Sequence, residues 1–229
     1  MDRCPNVPLR LDMEEVLRRQ GFGGKSGVQP KVRRLIDELL AGLEEDNLLQ
    51  AAFAGELFPI TGTDDGGLLL EGGRRVCGPA LPAFFPEAVK LAVVVCTIGP
   101  ALEEKVGALS RGGQQLRALL LDGIGSAAVD ALVAEAMQCV AADAAAGGWQ
   151  AGSPVNPGMP GFPLTEQRTL LELTRADRIG VALSPSGMLI PRKSVAMAAG
   201  VGTGMTVWTQ SEICARCSMG QTCPYKKNG

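Results

Sequence analysis

Three cysteines near the end of the chain have a spacing that suits metal binding. Cys214, Cys217 and Cys223 form the pattern C-x2-C-x5-C within ten residues. Two cysteines separated by two residues can turn both sulfur atoms toward one metal ion, and Gly220 lets the loop bring in the third. Three thiolates suit an iron–sulfur cluster or zinc, because both favour soft ligands. We therefore predict a metal site here, with a disulfide, a redox dithiol or unreactive thiols as alternatives.

The absence of histidine restricts the chemistry that this chain can perform. None of its 229 residues is histidine, which excludes a Ser-His-Asp triad, a Cys-His pair and imidazole metal ligands. A fourth metal ligand would have to be a carboxylate or one of the cysteines Cys4, Cys77, Cys96 and Cys139. Of these, Cys96 and Cys139 are more simply interpreted as small apolar residues, because they fall in a predicted buried strand and a predicted helix.

Composition argues against nucleic acid and membrane as partners. The chain has 22 basic and 24 acidic residues, and only 4% of its residues are aromatic, so neither a basic surface nor a base-stacking platform is indicated. The apolar runs are too short to cross a bilayer, and no signal peptide is visible at the N-terminus. Seven cysteines without a secretion signal favour reduced thiols and a cytoplasmic location.

The elements that must position these residues are helices and strands in an irregular order. Helical spacing covers Leu11 to Gln20, Lys31 to Leu43, Ala101 to Leu109, Gln114 to Ala146 and Leu164 to Leu173. Strands are predicted as two or three within 52–80, then at Leu91 to Thr97, Ile179 to Leu183 and Val195 to Val207. Residues 147–163 are too rich in Gly, Pro and Ser for either. Because the elements do not alternate regularly as βαβ units, the fold class is α+β.

Five blocks of sequence, in order, carry a resemblance to a known family. They read LDMEEVLRRQG from Leu11, CTIGPALEEKV from Cys96, LDGIGSAAVDALVAE from Leu121, PGMPGFPLTEQ from Pro157 and IGVALSPSGMLIPRKSV from Ile179. The chain resembles the activation (reactivation) domain of cobalamin-dependent methionine synthase, and more closely its short stand-alone bacterial relatives. Tyr225 and the three terminal cysteines resemble the ending of some short anaerobic relatives, and this favours an iron–sulfur cluster over zinc.

The resemblance implies a fold, ligands and a partner. We expect residues 1–210 to form one C-shaped α+β domain with a twisted antiparallel sheet flanked by helices, followed by a metal-binding tail at 211–229. In the family, such a domain binds S-adenosylmethionine in a shallow groove and presents it to cobalamin carried by another domain. One-electron reduction of inactive Co(II), coupled to methyl transfer, restores methylcobalamin. A corrinoid protein is therefore the expected partner, and the system is a methyltransferase system.

The family's ligand-binding residues map unevenly onto this chain. The family motif has an arginine three residues before Pro-Gly and an aromatic residue after it, where this chain has Pro154 and Met159. Glu135 matches a helix glutamate that contacts the ligand's amino group. The positions carried over as a cofactor-binding set are Glu135, Pro157, Gly158, Met159, Ser184 and Ser186.

Three functions are compatible with these observations. The first is a reductive activator of a corrinoid protein, which returns Co(II) to the active state with an electron from the terminal cysteine cluster. The second is a reactivation module that binds S-adenosylmethionine. The third is a non-catalytic docking module with structural zinc.

Overall fold

The computed structural model describes residues 7–11, 13–20 and 28–216. Its helices are α1 (Met13–Arg19), α2 (Pro30–Glu45), α3 (Leu81–Phe84), α4 (Ala101–Arg111), α5 (Gln115–Ala146), α6 (Gln167–Thr174) and α7 (Gln210–Arg216). Its strands are β1 (Ala52–Asp64), β2 (Gly67–Leu70), β3 (Arg74–Cys77), β4 (Ala88–Thr97), β5 (Gln150–Ala151), β6 (Ala182–Leu183), β7 (Leu189–Ile190) and β8 (Ser194–Gly202).

Six of the strands form one antiparallel sheet in the order β3-β2-β1-β4-β8-β5. Its centre is β4, which pairs with β1 from Ala52↔Thr97 onward and with β8 up to Thr97↔Ser194. The remaining strands, β6 and β7, form a separate two-stranded hairpin. The fold is therefore α+β with an antiparallel sheet, as the sequence predicts.

The sheet has a hydrophobic core on each face, and β4 contributes to both. Ala92, Val94 and Cys96 pack into the first core, which the buried side chains of α1, α2, α4 and α5 complete. Leu91, Val93 and Val95 alternate with them and pack into the second core with α6 and the loop that holds Phe162. A strand covered on both faces needs an uninterrupted apolar sequence, which is why LAVVVCT is recognisable as buried from sequence alone.

The long helix α5 lies across the first core because of a stripe of small and apolar residues. Its buried positions include Ala128, Leu132, Ala136, Val140 and Ala144, which are each four residues apart. The alanines let the helix approach β4 and β8 closely, since little side chain separates the backbones.

Several predicted boundaries differ from the observed ones. The predicted strand Val195–Val207 ends at Gly202, because a turn with Gly204 at φ +67° follows. Most of Ile179–Leu183 is not a strand, since a 3-10 turn occupies Ala176–Ile179 and only Ala182–Leu183 pair. Residues 150–151, expected to be loop, add a short edge strand. Within the described ranges, no helix is long and apolar enough to cross a membrane.

Candidate functional site

The loop of residues 152–163, which carries the Pro-Gly motif, is hydrogen-bonded to strand β8. Val155 exchanges two backbone hydrogen bonds with Ala198, at 2.8 and 2.9 Å. The Asn156 side-chain amide donates to the carbonyl of Ala196 at 2.9 Å, and the Gly152 amide donates to the carbonyl of Gly200 at 2.9 Å. The loop is thus held along the sheet as an irregular extension, so that the Pro157–Gly158 turn has a fixed position beside β8.

The turn itself explains why glycine occupies position 158. Gly158 has φ +99°, a conformation that residues with a Cβ rarely adopt. Its amide donates to the carbonyl of Phe162 at 2.7 Å, and the Phe162 amide donates to the carbonyl of Met159 at 2.9 Å. The N–H of Gly158 is therefore used inside the turn. Because Gly158 is exposed and has no side chain, a ligand could lie directly against its Cα.

Pro157 and Met159 contribute to packing as well as to the turn. Pro157 is buried. Met159 is partly buried against the second core, and its sulfur lies 3.5 Å from the amide nitrogen of Asn156. The thioether therefore folds back over the turn.

Glu135 lies on the solvent-exposed face of α5. Its neighbour Ala136 is fully buried in the first core, whereas Glu135 is exposed. In the part of the chain that the structure describes, no hydrogen bond or ion pair engages the Glu135 carboxylate or joins it to the 152–163 loop. Its charge is therefore available to a cationic group of a ligand.

Ser184 and Ser186 fold the turn of the β6–β7 hairpin. The two hydroxyl oxygens are 2.9 Å apart, and the Met188 amide donates to Ser184 Oγ at 3.0 Å. The hairpin is closed by the Ser184 amide, which donates to the carbonyl of Met188 at 2.8 Å. Both hydroxyls are engaged within the turn, and the structure gives them no contact with the 152–163 loop among the described residues.

Of the three predicted metal-binding cysteines, the structure describes Cys214, which is partly exposed on helix α7. Cys217 and Cys223 lie outside the described residues, and so does Cys4. Within residues 7–11, 13–20 and 28–216, no group of three or more Cys, Asp or Glu side chains could hold a metal ion. The prediction of a terminal metal site therefore stays a prediction.

The other described cysteines differ sharply in their surroundings. Cys77 on β3 and Cys139 on α5 are exposed, whereas Cys96 on β4 is fully buried. Burial raises the pKa of the Cys96 thiol to about 12, because a thiolate would lose its hydration there. A thiol that stays protonated is a poor metal ligand, so Cys96 serves as a core residue.

Helix α7 begins close to the 152–163 loop. The Trp208 amide donates to Ser153 Oγ at 2.7 Å, and the Ser153 amide donates to the carbonyl of Thr206 at 3.1 Å. Thr209 then caps the helix, since Glu212 Oε2 accepts from the Thr209 amide at 2.7 Å and the Glu212 amide donates to Thr209 Oγ1 at 3.3 Å. The cysteine-bearing helix is thus tied to the segment that leads into the Pro-Gly turn.

The T-x-x-E pattern of that cap marks a helix start. It is visible in the sequence and could predict α7, at the point where the sequence analysis places only the start of a metal-binding tail.

Comparison with known proteins identifies the fold. No protein-family model matches the chain, and no curated protein sequence does. Among the matching solved structures is the "MetH Reactivation Domain bound to AdoHcy", with a TM-score of 0.62 at 14% sequence identity, covering 91% of this chain and 80% of the other. The chain therefore adopts the fold of the MetH reactivation domain, the architecture that its sequence resembles.

Proposed function

We propose that this protein is an accessory module that reactivates a corrinoid methyl-transfer protein. The observation that carries the proposal is the shared fold, since the structural neighbour is a reactivation domain with S-adenosylhomocysteine bound. The sequence blocks that resemble the family support it independently. The proposal includes an S-adenosyl ligand on this chain and cobalamin on the partner.

Two of the carried-over residues have chemistry that suits part of an S-adenosyl ligand. The exposed carboxylate of Glu135 suits the ligand's ammonium group, and the exposed, side-chain-free Gly158 leaves room for a ligand to lie against the turn. The ligand's carboxylate has no obvious partner, because residues 152–163 include neither lysine nor arginine and Pro154 stands where the family has arginine. We therefore infer that the ammonium and the adenosyl group are recognised more strongly than the carboxylate.

Calorimetry with three ligands tests this recognition. We expect S-adenosylmethionine and its decarboxylated analogue to bind with similar affinity, because the 152–163 loop offers no cationic partner to the carboxylate that the analogue lacks. 5′-Deoxy-5′-dimethylsulfonioadenosine, which keeps the sulfonium charge and lacks the ammonium, should bind about tenfold more weakly, as expected for one lost charge-assisted hydrogen bond. Glu135→Gln should remove that difference, whereas the matched exposed carboxylate variant Glu104→Gln should not. Absence of binding by all three ligands would refute the S-adenosyl part of the proposal.

A second function, reductive activation through the terminal cysteines, is favoured by the position of α7. The hydrogen bonds between Ser153 and the 206–208 segment attach the helix that carries Cys214 to the 152–163 loop. Cys214, Cys217 and Cys223 would hold an iron–sulfur cluster, which supplies a one-electron carrier when bound. We propose that this carrier delivers the electron that a Co(II) corrinoid needs. With zinc instead, the same tail would have only a structural role in docking.

Metal analysis separates these alternatives. For protein purified without oxygen, we expect iron and sulfide in comparable amounts, a broad thiolate-to-iron absorbance, and loss of both in Cys217→Ala and Cys214→Ala. Ser211→Ala, an exposed substitution in the same helix, serves as the control and should retain the metal. Zinc without iron would support the docking function, and protein without metal would rule out both versions.

A further inference from the structure

A groove between α4, α5 and the segment before β8 belongs to neither of these sites. Its larger part is a cavity of about 440 Å³ lined by Glu103, Val106, Gly107, Ser110, Asp122, Met188, Arg192 and Lys193. A smaller part of about 240 Å³ continues past Arg192 and Lys193 along α5, to Ser126, Val129, Asp130 and Ser194. The larger cavity has the size of a small-molecule site.

Lys193 is held at the boundary between the two parts. Its ammonium lies 3.0 Å from Asp122 Oδ1 and donates to Ser126 Oγ at 2.9 Å. The lysine side chain is only 15% exposed. An ammonium has three N–H donors, so two are directed to these partners and one is left for a ligand. The methylene chain of Lys193 is largely buried and its ammonium is held in place by two partners. The ammonium is therefore already positioned for a ligand.

The two acidic residues of the larger cavity are already engaged, and Asp130 adds a third carboxylate in the smaller part. Asp122 pairs with Lys193, and Glu103 Oε2 accepts the backbone N–H of Arg192 at 2.9 Å. The guanidinium of Arg192 is different, because within the described residues it forms no hydrogen bond and no ion pair. It lines both parts of the groove with five unused N–H donors. The larger cavity, whose two carboxylates are balanced by two cations, therefore has N–H donors left for an anion.

Three of the residues that line the larger cavity offer it apolar surface. They are Val106 and Gly107 of α4 and Met188, which directly precedes β7 and is 57% exposed. An exposed methionine can adapt to the shape of an apolar group.

We propose that this groove binds a small organic anion. A phosphate or carboxylate group would lie between Arg192 and Lys193, and an apolar body would lie against Val106, Gly107 and Met188. Its lining includes neither Glu135 nor Gly158, and its test does not depend on the S-adenosyl function.

Titration with phenyl phosphate, followed by amide NMR shifts of the full-length chain at low salt, tests the proposal. We expect saturable shifts at Val106, Gly107 and Met188 with a dissociation constant of about 1 mM or tighter. Inorganic phosphate lacks the apolar body and benzyl alcohol lacks the charge, so each should bind more weakly. Arg192→Gln should weaken phenyl phosphate binding about tenfold or more, since charge-assisted hydrogen bonds are lost.

Arg168→Gln, which removes an exposed arginine from α6, is the matched control and should bind like the unmodified chain. No saturable shift at these residues up to about 10 mM phenyl phosphate would overturn the proposal. Equal binding by Arg192→Gln would overturn it too, and so would equal binding of inorganic phosphate and phenyl phosphate. Because Arg192 is exposed, the variant's fold can be checked in the same spectra from the amides of β4 and β8.

Discussion

At the scale of single residues, the candidate ligand site depends on one replacement. Pro154 stands at the position where the family motif has arginine, and it is partly buried beside the loop segment that pairs with β8. An arginine there could form paired charge-assisted hydrogen bonds to a carboxylate, which proline cannot. We therefore expect this position to decide whether the carboxylate of an amino-acid ligand is recognised.

Restoring the arginine should have a selective effect. We expect Pro154→Arg to tighten S-adenosylmethionine binding about tenfold to a hundredfold, as expected for a bidentate pair with a carboxylate. Binding of decarboxylated S-adenosylmethionine should stay the same. Calorimetry with the two ligands measures this. Equal tightening for both would show that the substitution acts on the loop and not on the carboxylate.

Cys96 gives the protein a pH-dependent stability in alkaline solution. Its pKa is about 12 in the folded protein against 9.0 for an ordinary thiol. Above pH 9 the unfolded chain loses this proton while the folded chain keeps it, so the free energy of unfolding falls as the pH rises from about 9 to 12. The full difference corresponds to about 4 kcal/mol, and below pH 9 this contribution is constant.

Thermal or urea unfolding measured between pH 8 and 10.5 (about the accessible range) tests this contribution. Cys96→Ala should be less stable overall, because a buried side chain is lost, but its stability should decline less steeply with pH. Cys77→Ala removes an exposed thiol and should keep the original slope. If Cys96→Ala and the unmodified chain had parallel pH profiles, the buried thiol would not be the titrating group.

At the scale of elements, the last residue of β8 has no room for a side chain, because the backbone of Glu87 lies against it. A Cβ added at Gly202 would lie 2.1 Å from the carbonyl oxygen of Glu87, beside the irregularity between Ala88 and Lys90 in β4. The obstacle is backbone, which cannot move aside as a flexible side chain can. Glycine is therefore required for β8 to pair with β4 up to its last residue.

Gly202→Ala should reduce the free energy of unfolding by about 1–3 kcal/mol, the cost of forcing extra atoms into a packed site. The matched substitution Gly42→Ala meets no atom within 4 Å on helix α2, and it should stabilise the protein by about 0.5–1 kcal/mol because alanine favours helix. Urea denaturation measures both. A neutral effect of Gly202→Ala would mean that the β4–β8 end separates readily.

Elements with a strong local pattern were predictable from the sequence. The apolar run in β4 and the stripe in α5 gave the right type and nearly the right ends. Elements whose existence or ends depend on strand pairing or on turns were not predictable from the sequence. The edge strand β5 exists because residues 150–151 meet the end of β8, and β8 stops at a glycine turn within an apolar stretch.

The candidate site was predictable only in part, because the residues that form it are distant in sequence. The Pro-Gly turn was visible as a motif, whereas its attachment to β8 through Asn156 depends on the fold. The groove at Arg192 and Lys193 joins residues of α4 and α5 to a segment about 70–90 residues later. No local pattern connects these residues, so the groove cannot be recognised from the sequence alone.

At the scale of the whole molecule, two features are combined on one scaffold. The fold of the MetH reactivation domain is shared with the structural neighbour, and the proposed cysteine site is an addition at the C-terminus. The hydrogen bonds between the 206–208 segment and Ser153 join the start of α7 to the 152–163 loop. The division into a domain at 1–210 and a tail at 211–229 remains a prediction from sequence.

We propose that the protein restores an inactive corrinoid. The most direct measurement is the EPR signal of a purified cobalamin-binding domain that carries cob(II)alamin, with S-adenosylmethionine and a low-potential reductant present. We expect the Co(II) signal to disappear and methylcobalamin to form faster when this protein is added, and Glu135→Gln to diminish the effect. An unchanged rate of Co(II) loss with metal-containing, folded protein would contradict the claim.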